Sequence, residues 1–121
     1  MNESADMNSI DVCLWSMDVK QENVFQISAS CERIYGYSEV EFIIHPNLWR
    51  EAIHPLDLEE VEKKQQGLSQ GKAIHHQYRI IDRFGKVKWV SDYTKPVFGK
   101  HGELMRVDGV IMDISHMAAE K

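Results

Sequence analysis

Six histidines and two cysteines among 121 residues are the side chains best able to ligate a metal or attack a carbon, so their spacing comes first. His75 and His76 are neighbours in a strand-like run. The two-residue period of a strand sends them to opposite faces, so they cannot chelate one ion together, and both read as surface or satisfied positions. His45 and His54 each precede a proline, His101 lies in a turn and His116 follows the last strand. His54-Pro55 reads as a helix end, because a residue before proline is pushed out of the helical region. Cys13 falls in a strand-like stretch and Cys31 in a helix-like one, which predicts two buried free thiols rather than a disulfide scaffold. No H-E-x-x-H, C-x-x-C, G-x-S-x-G or Gly-rich phosphate loop occurs. The expected sets of catalytic and metal-ligating residues are therefore empty, and no enzyme activity is expected.

The acidic balance points the same way for nucleic acid. Nineteen Asp and Glu against fourteen Lys and Arg give a formal charge of -5, whereas a nucleic-acid binder gathers basic residues to neutralise phosphates. Lys86, Lys88 and Lys95 lie along one strand and read as solvated outward positions. With 43% hydrophobic and 27% charged residues, the composition suits one globular core. No apolar run approaches the roughly 18 residues that would span a bilayer, so no membrane insertion is expected. The opening M-N-E-S-A-D-M-N-S has neither a basic nor an apolar leader region, which makes a cytoplasmic location the expectation. Residues 1–10 read as a flexible N-terminal segment.

The chain has to position whatever it binds on a sheet. Ala73 to Ser115 reads as three strands joined by two tight turns. Asp82 opens the first turn and Gly85 supplies a residue that tolerates positive φ; G-K-H-G at 99–102 makes the second. D-V-C-L-W-S-M-D at 11–18 and N-V-F-Q-I-S at 23–28 suit two more strands, with Leu14 and Trp15 on opposite faces. Between the two groups, residues 29–71 carry the marks of several short helices. Gly36 can end the first, Ser38 with Glu41 forms a capping box for the second, and Pro46 bounds it. Asp57 with Glu60 reads as another box, opening a helix from Leu58 to Leu68 that G-L-S-Q-G closes.

Four motifs then carry a family resemblance. G-Y-S-E-V-E-F at 36–42, W-R-E-A-I-H-P-L-D at 49–57, Y-R-I-I-D-R-F-G-K-V-K-W-V at 78–90 and D-G-V-I-M-D-I-S at 108–115 resemble, in order and spacing, the motifs of PAS (PAS/PAC) domains of the PAS_3 type. Phe84 stands where the family usually has Asp, and Ser115 where it has Thr. The resemblance covers residues 11–115 and implies an α+β PAS fold: a five-stranded antiparallel sheet of order 2-1-5-4-3 with short helices on one face. It leaves 116–121 as the start of a C-terminal linker or signalling helix.

For function, the resemblance implies a sensory module of a larger signalling protein, of the histidine kinase (two-component) or cyclic-di-GMP type. Such a module passes a conformational change to a C-terminal output domain and forms homodimers; the alternative is a ligand-free protein-interaction module. PAS domains hold ligands between the helices and the inner sheet face. Aligned on Gly85 and Gly109 with the flavin-binding light-oxygen-voltage branch, the inward set is Tyr78, Ile80, Val90, Asp92, Thr94, Val107, Gly109 and Ile111. Candidate ligand contacts are Phe42, Tyr78, Ile80, Val90, Asp92 and Ile111. Where flavin-binding relatives place two Asn and a Gln, this chain has Ile80, Val90 and Ile111, which would leave a flavin's polar edge unpaired at about 1–3 kcal/mol per group. The reactive cysteine of that branch falls near Leu48, and the helix that supplies a haem-ligating histidine in the family has none here. Neither flavin nor haem is expected; a small apolar ligand is compatible with these positions. Asp92 would be a carboxylate in an apolar pocket beside Tyr78 and Thr94, either held by a structural partner such as Arg79, Arg106 or water, or reserved for a ligand. By the same resemblance Asp113, at the exit from the sheet, is the signal-transmission residue.

Overall fold

The computed structural model describes residues 10–21 and 23–118. Strands β1 (Val12–Asp18) and β2 (Asn23–Ile27) form a hairpin, and β3 (Ile74–Ile81), β4 (Val87–Phe98) and β5 (Leu104–Asp113) form a meander. All pairs are antiparallel and the order is β2-β1-β5-β4-β3, so the chain's first strand lies against its last. Between the hairpin and the meander run α1 (Cys31–Tyr35), α2 (Glu39–Ile44), α3 (Leu48–Ala52), α4 (Pro55–Gln65) and a 3-10 turn (Gln66–Gln70); α5 (Ser115–Ala118) follows the sheet. The expected order and the helical middle section are both present. Residues 1–9 and 119–121, which hold nearly all of the expected flexible segment and half of the expected exit linker, lie outside the described residues.

Helix ends follow local chemistry. Gly36 stops α1 with φ 82°, a conformation that costs a residue with a Cβ. Ser38 and Glu41 make the reciprocal capping box, with Ser38 N donating to Glu41 Oε1 at 2.8 Å and Glu41 N to Ser38 Oγ at 3.2 Å. The predicted box at Asp57 and Glu60 does not form. Helix α4 starts three residues earlier, with Pro55 in its first turn, where its missing N–H is no loss. His54 caps it by accepting from Leu56 N at 3.1 Å, so His54 begins a helix as well as following one. That frees the Asp57 carboxylate for the sheet: it accepts from Arg79 N at 2.8 Å, Arg79 Nε at 3.0 Å and Arg79 Nη2 at 2.7 Å.

The meander's first turn docks onto the helices. Asp82 Oδ1 accepts from the Phe84 and Lys86 amides at 2.9 Å each, and Arg83 reaches back to pair with Glu41 at 2.9 Å. Lys88, expected in solvent, is mostly covered: it pairs with Asp82 at 3.3 Å and donates to the carbonyl of Ile34 at 2.7 Å. Its strand position shares the inward parity of Val90, and at the sheet's margin a long side chain on that face finds the end of α1.

The two cysteines are also a correction. Cys13 on β1 and Cys31 at the start of α1 are joined in a disulfide, with Cα atoms 4.5 Å apart. Their separation of 18 residues crosses a hairpin, a tertiary contact that strand and helix patterns do not disclose.

Candidate ligand-binding site

The inner face of the sheet reads out in rows across the strands. Gly109 on β5 sits opposite Trp15 on β1 and Thr94 on β4. One row further, Ile111 sits opposite Cys13 and Asp92, and Asp92 is in turn opposite His76 on β3. Alternation therefore places Trp15, Asp92, Thr94 and His76 on one face, each beside the next strand's contribution. Gly109 is required there because the Trp15 indole occupies the space its Cβ would fill.

Two helical segments roof this face unevenly. Beneath α1 and α2 the core is closed: Phe42 stacks on Trp49 (centroids 4.4 Å) and meets the edge of Tyr35 (5.4 Å), over fully buried Ile34, Ile80, Val90 and Ile111. Beneath α3 and the 3-10 turn a cavity of about 580 Å³ remains, within the range of small-molecule sites. Trp15, Trp49, Met17, Ile53, Leu68 and Val107 form its apolar wall, and Asp92 and Thr94 line it from β4. The Trp15 and Trp49 rings lie 5.2 Å apart. Pro46, Asn47, Arg50 and Gln65 complete the lining, Arg50 being paired with Glu62.

Asp92 is the cavity's distinctive group. Only 2% exposed, its Oδ2 accepts from Tyr78 Oη at 2.6 Å and its Oδ1 from Thr94 Oγ1 at 2.7 Å. The suggested partners Arg79 and Arg106 are engaged elsewhere, by Asp57 and Asp108. Burial, reinforced by neighbouring Tyr35 and Asp92, pushes the Tyr78 hydroxyl well above its ordinary pKa, so it remains a donor. His76, expected at the surface or satisfied, is 8% exposed, and its Nε2 has no hydrogen-bond partner. That nitrogen lies 3.8 Å from Asp92 Oδ2. Burial, despite the attraction of Asp92, holds the His76 pKa below its usual value.

Of the six candidate contacts, Asp92 alone lines the cavity. Phe42, Ile80, Val90 and Ile111 are closed-core residues, and Tyr78 reaches the site through its hydrogen bond to Asp92. The inward set contained Thr94 and Val107, which do line it, but Trp15, Met17, Trp49 and Leu68 went unrecognised as walls. Trp15 was readable from its alternation with exposed Leu14, and Trp49 from the motif that contains it. At the exit, Asp113 Oδ1 accepts from Ser115 N at 2.9 Å and Ser115 Oγ from Trp89 N at 3.0 Å, so the strand end is anchored through backbone amides. His101 and His116 are exposed. No group of three or more potential metal ligands occurs among the described residues.

The family model for PAS_3, described as a PAS fold, matches residues 24–111. This chain belongs to that family. The PAS domain is 25% identical over 105 residues to a blue-light-activated histidine kinase of Brucella anthropi, covering 87% of this chain and 21% of that protein. It is 24% identical over 103 residues to a methyl sulfide methyltransferase-associated sensor of Methanosarcina acetivorans, covering 84% and 10% respectively. The chain thus spans about a fifth or less of the curated relatives it matches. Among solved structures, a domain of a putative light and redox sensing histidine kinase from Haloarcula marismortui superposes with a TM-score of 0.79 at 25% identity, covering 92% of this chain and 96% of that one. The N-terminal domain of a diguanylate cyclase with PAS/PAC sensor from Marinobacter aquaeolei matches with a TM-score of 0.79 at 22% identity, over 88% and 98%. The second shows a shared fold. No helix among the described residues is long and apolar enough to cross a membrane.

Proposed function

We propose that this PAS domain is the ligand-sensing module of a larger signalling protein, coupled through its C-terminal exit to a kinase or cyclic-dinucleotide output domain. One observation carries the reading: the closed core gives way, under α3 and the 3-10 turn, to a cavity of about 580 Å³ with a buried carboxylate in its wall. Filling a domain's interior is the ordinary outcome of folding, and a void of this size beside charged and aromatic groups is suited to an occupant. The curated relatives are named as a light-activated kinase and a sensor, which supports the signalling role. Against a photochemical version stand the apolar Ile80, Val90 and Ile111 at the aligned flavin positions. The cysteines give it no support either, since they are bonded to each other and neither lines the cavity. The reading includes a homodimer, for which Leu14 and Tyr93 on the outer sheet face and Met117 beyond the exit are exposed apolar groups.

The test is to fill the cavity. Leu68→Trp in the full-length protein is expected to abolish the response of output activity to its stimulus while the domain stays folded. A response unchanged by that substitution would contradict the ligand-sensing role and favour the ligand-free interaction module. The purified domain is expected to be colourless, and a visible absorbance band that persists through gel filtration would overturn that part.

A further inference from the structure

The cavity's charge narrows its occupant. Asp92 is almost wholly buried, and an ionised carboxylate has about four acceptor positions, of which Tyr78 and Thr94 fill one on each oxygen. No arginine or lysine among the described residues forms an ion pair with it. Among the described residues, each of the five arginines is engaged by another carboxylate, Lys88 is held by Asp82, and His76, the histidine beside Asp92, stands 3.8 Å away without a hydrogen bond to it, its pKa lowered by burial. An isolated buried charge is expensive unless something pairs with it. The remaining acceptor positions belong to a group that lines the cavity, where they meet the apolar wall of Trp15, Trp49, Met17, Ile53, Leu68 and Val107. Arg50 at the same cavity is already offset by Glu62.

We propose that the cavity takes a small primary amine with an apolar body, its ammonium donating to Asp92 and its hydrocarbon lying along the tryptophan wall. A primary rather than quaternary cation is specified because the open carboxylate positions ask for N–H donors. This inference rests on reading the cavity as a ligand site, and the experiment separates the two. The 121-residue chain is titrated by calorimetry with three matched probes: 2-phenylethylamine, neutral 2-phenylethanol and anionic 3-phenylpropanoate. The amine is expected to bind about 10- to 100-fold more tightly than the alcohol, with the acid weakest. Asp92→Asn, which keeps the side chain's shape, is expected to remove that preference, bringing amine and alcohol binding to within about threefold of each other. Equal binding of amine and alcohol, or a preference for the acid, overturns the amine assignment while leaving the cavity a ligand site. Binding of none of the three also overturns it. In that case the Leu68→Trp response decides separately whether the ligand-site reading survives. Because the three probes are compared on the unaltered chain, the result does not depend on the variant folding.

Discussion

Two ends of one sheet face are built from the same alternating residues and end in different states. Under α1 and α2 the face carries Ile80, Val90 and Ile111, and Phe42, Tyr35 and Ile34 fill the space above them completely. Under α3 and the 3-10 turn the face carries Asp92, in the same row as Ile111, then Thr94 and Gly109 in the next, and the space above stays partly open. The strands do not make this difference; their parity is continuous. What differs is the cover: Phe42 on α2 stacks on Trp49 over the closed end, whereas over the other the end of α4 and the turn after it bring Gln65 and Leu68 to a cavity that Trp49 borders from α3. Stability should therefore concentrate at the closed end and tolerance at the open one.

Truncation at the closed end tests this most severely. Phe42→Ala is expected to cost about 3–5 kcal/mol in chemical denaturation, since it removes a fully buried ring that touches Tyr35, Tyr37 and Trp49. Leu68→Ala, at the cavity wall, should cost well under half as much, because its side chain is only partly buried and faces the cavity. Equal losses at the two positions would erase the distinction between the ends. Reduction of the Cys13–Cys31 bond comes next. Opening a crosslink over 18 residues is expected to lower stability by about 3 kcal/mol on the chain-entropy argument, read as the difference in denaturation midpoint with and without reductant.

The boundary between the ends gives a middle-sized effect. Gly109→Ala is expected to cost about 1–3 kcal/mol, because the new methyl displaces the Trp15 indole. It should also change Trp fluorescence, and loss of stability without a spectral change would mean that Trp15 is not what the glycine accommodates.

Acid provides a gentler probe. Hydrogen bonds from Arg79 hold the Asp57 carboxyl below its usual range despite its partial burial. For Asp82, burial pushes up, but the Lys86 and Phe84 amides and Lys88 outweigh it and leave the group lowered. A carboxylate lowered on folding contributes stability above its unfolded value of about 3.9, and that stability is lost as pH falls through the folded value. Denaturation midpoints should therefore fall modestly below about pH 6.5, where unfolded His76 takes up a proton that burial withholds from the folded one, and more steeply below about pH 4. Asp57→Asn should flatten part of the fall below about pH 4 and leave the shallower one, which belongs to His76, in place.

The residue pattern disclosed the fold more fully than the site, for a physical reason. The Ser38–Glu41 box, the glycine turns and the strand-like runs are local, so the five strands were legible along the chain, while their order and inward face came from the family resemblance. Cavity walls depend on which helix covers which row, and Trp49, Met17 and Leu68 belong to separate elements that meet only in three dimensions. Asp57 shows the same limit on a small scale. Its spacing from Glu60 mimics a capping box, yet Pro55 starts the helix earlier and Arg79, 22 residues away in sequence, takes the carboxylate. Asp92 was legible as a buried carboxylate, but its partners were not the arginines nearest in expectation.

The smallest stability effect is expected where the consequence for output is largest. Asp113 closes β5 by accepting from the Ser115 amide at 2.9 Å; the next residue's amide donates to the Trp89 carbonyl at 2.9 Å, and Ser115 Oγ takes the Trp89 amide at 3.0 Å. These bonds tie the first turn of α5 to β4, the strand that also carries Asp92 two positions beyond Val90, the residue paired with Asp113. A shift of β4 at the cavity thus has a short covalent and hydrogen-bonded route to the exit. Asp113→Ala removes one half-exposed hydrogen bond and should lower stability by only about 1 kcal/mol. In the full-length protein it should nevertheless change basal output or its response to stimulus, because the direction in which α5 leaves the sheet is no longer fixed by that contact. Asp113→Asn, which keeps an oxygen for the Ser115 amide, should behave closer to the parent. Unchanged output in the alanine variant would remove the transmission role from Asp113, and unfolding of the domain would show that the residue serves the fold first.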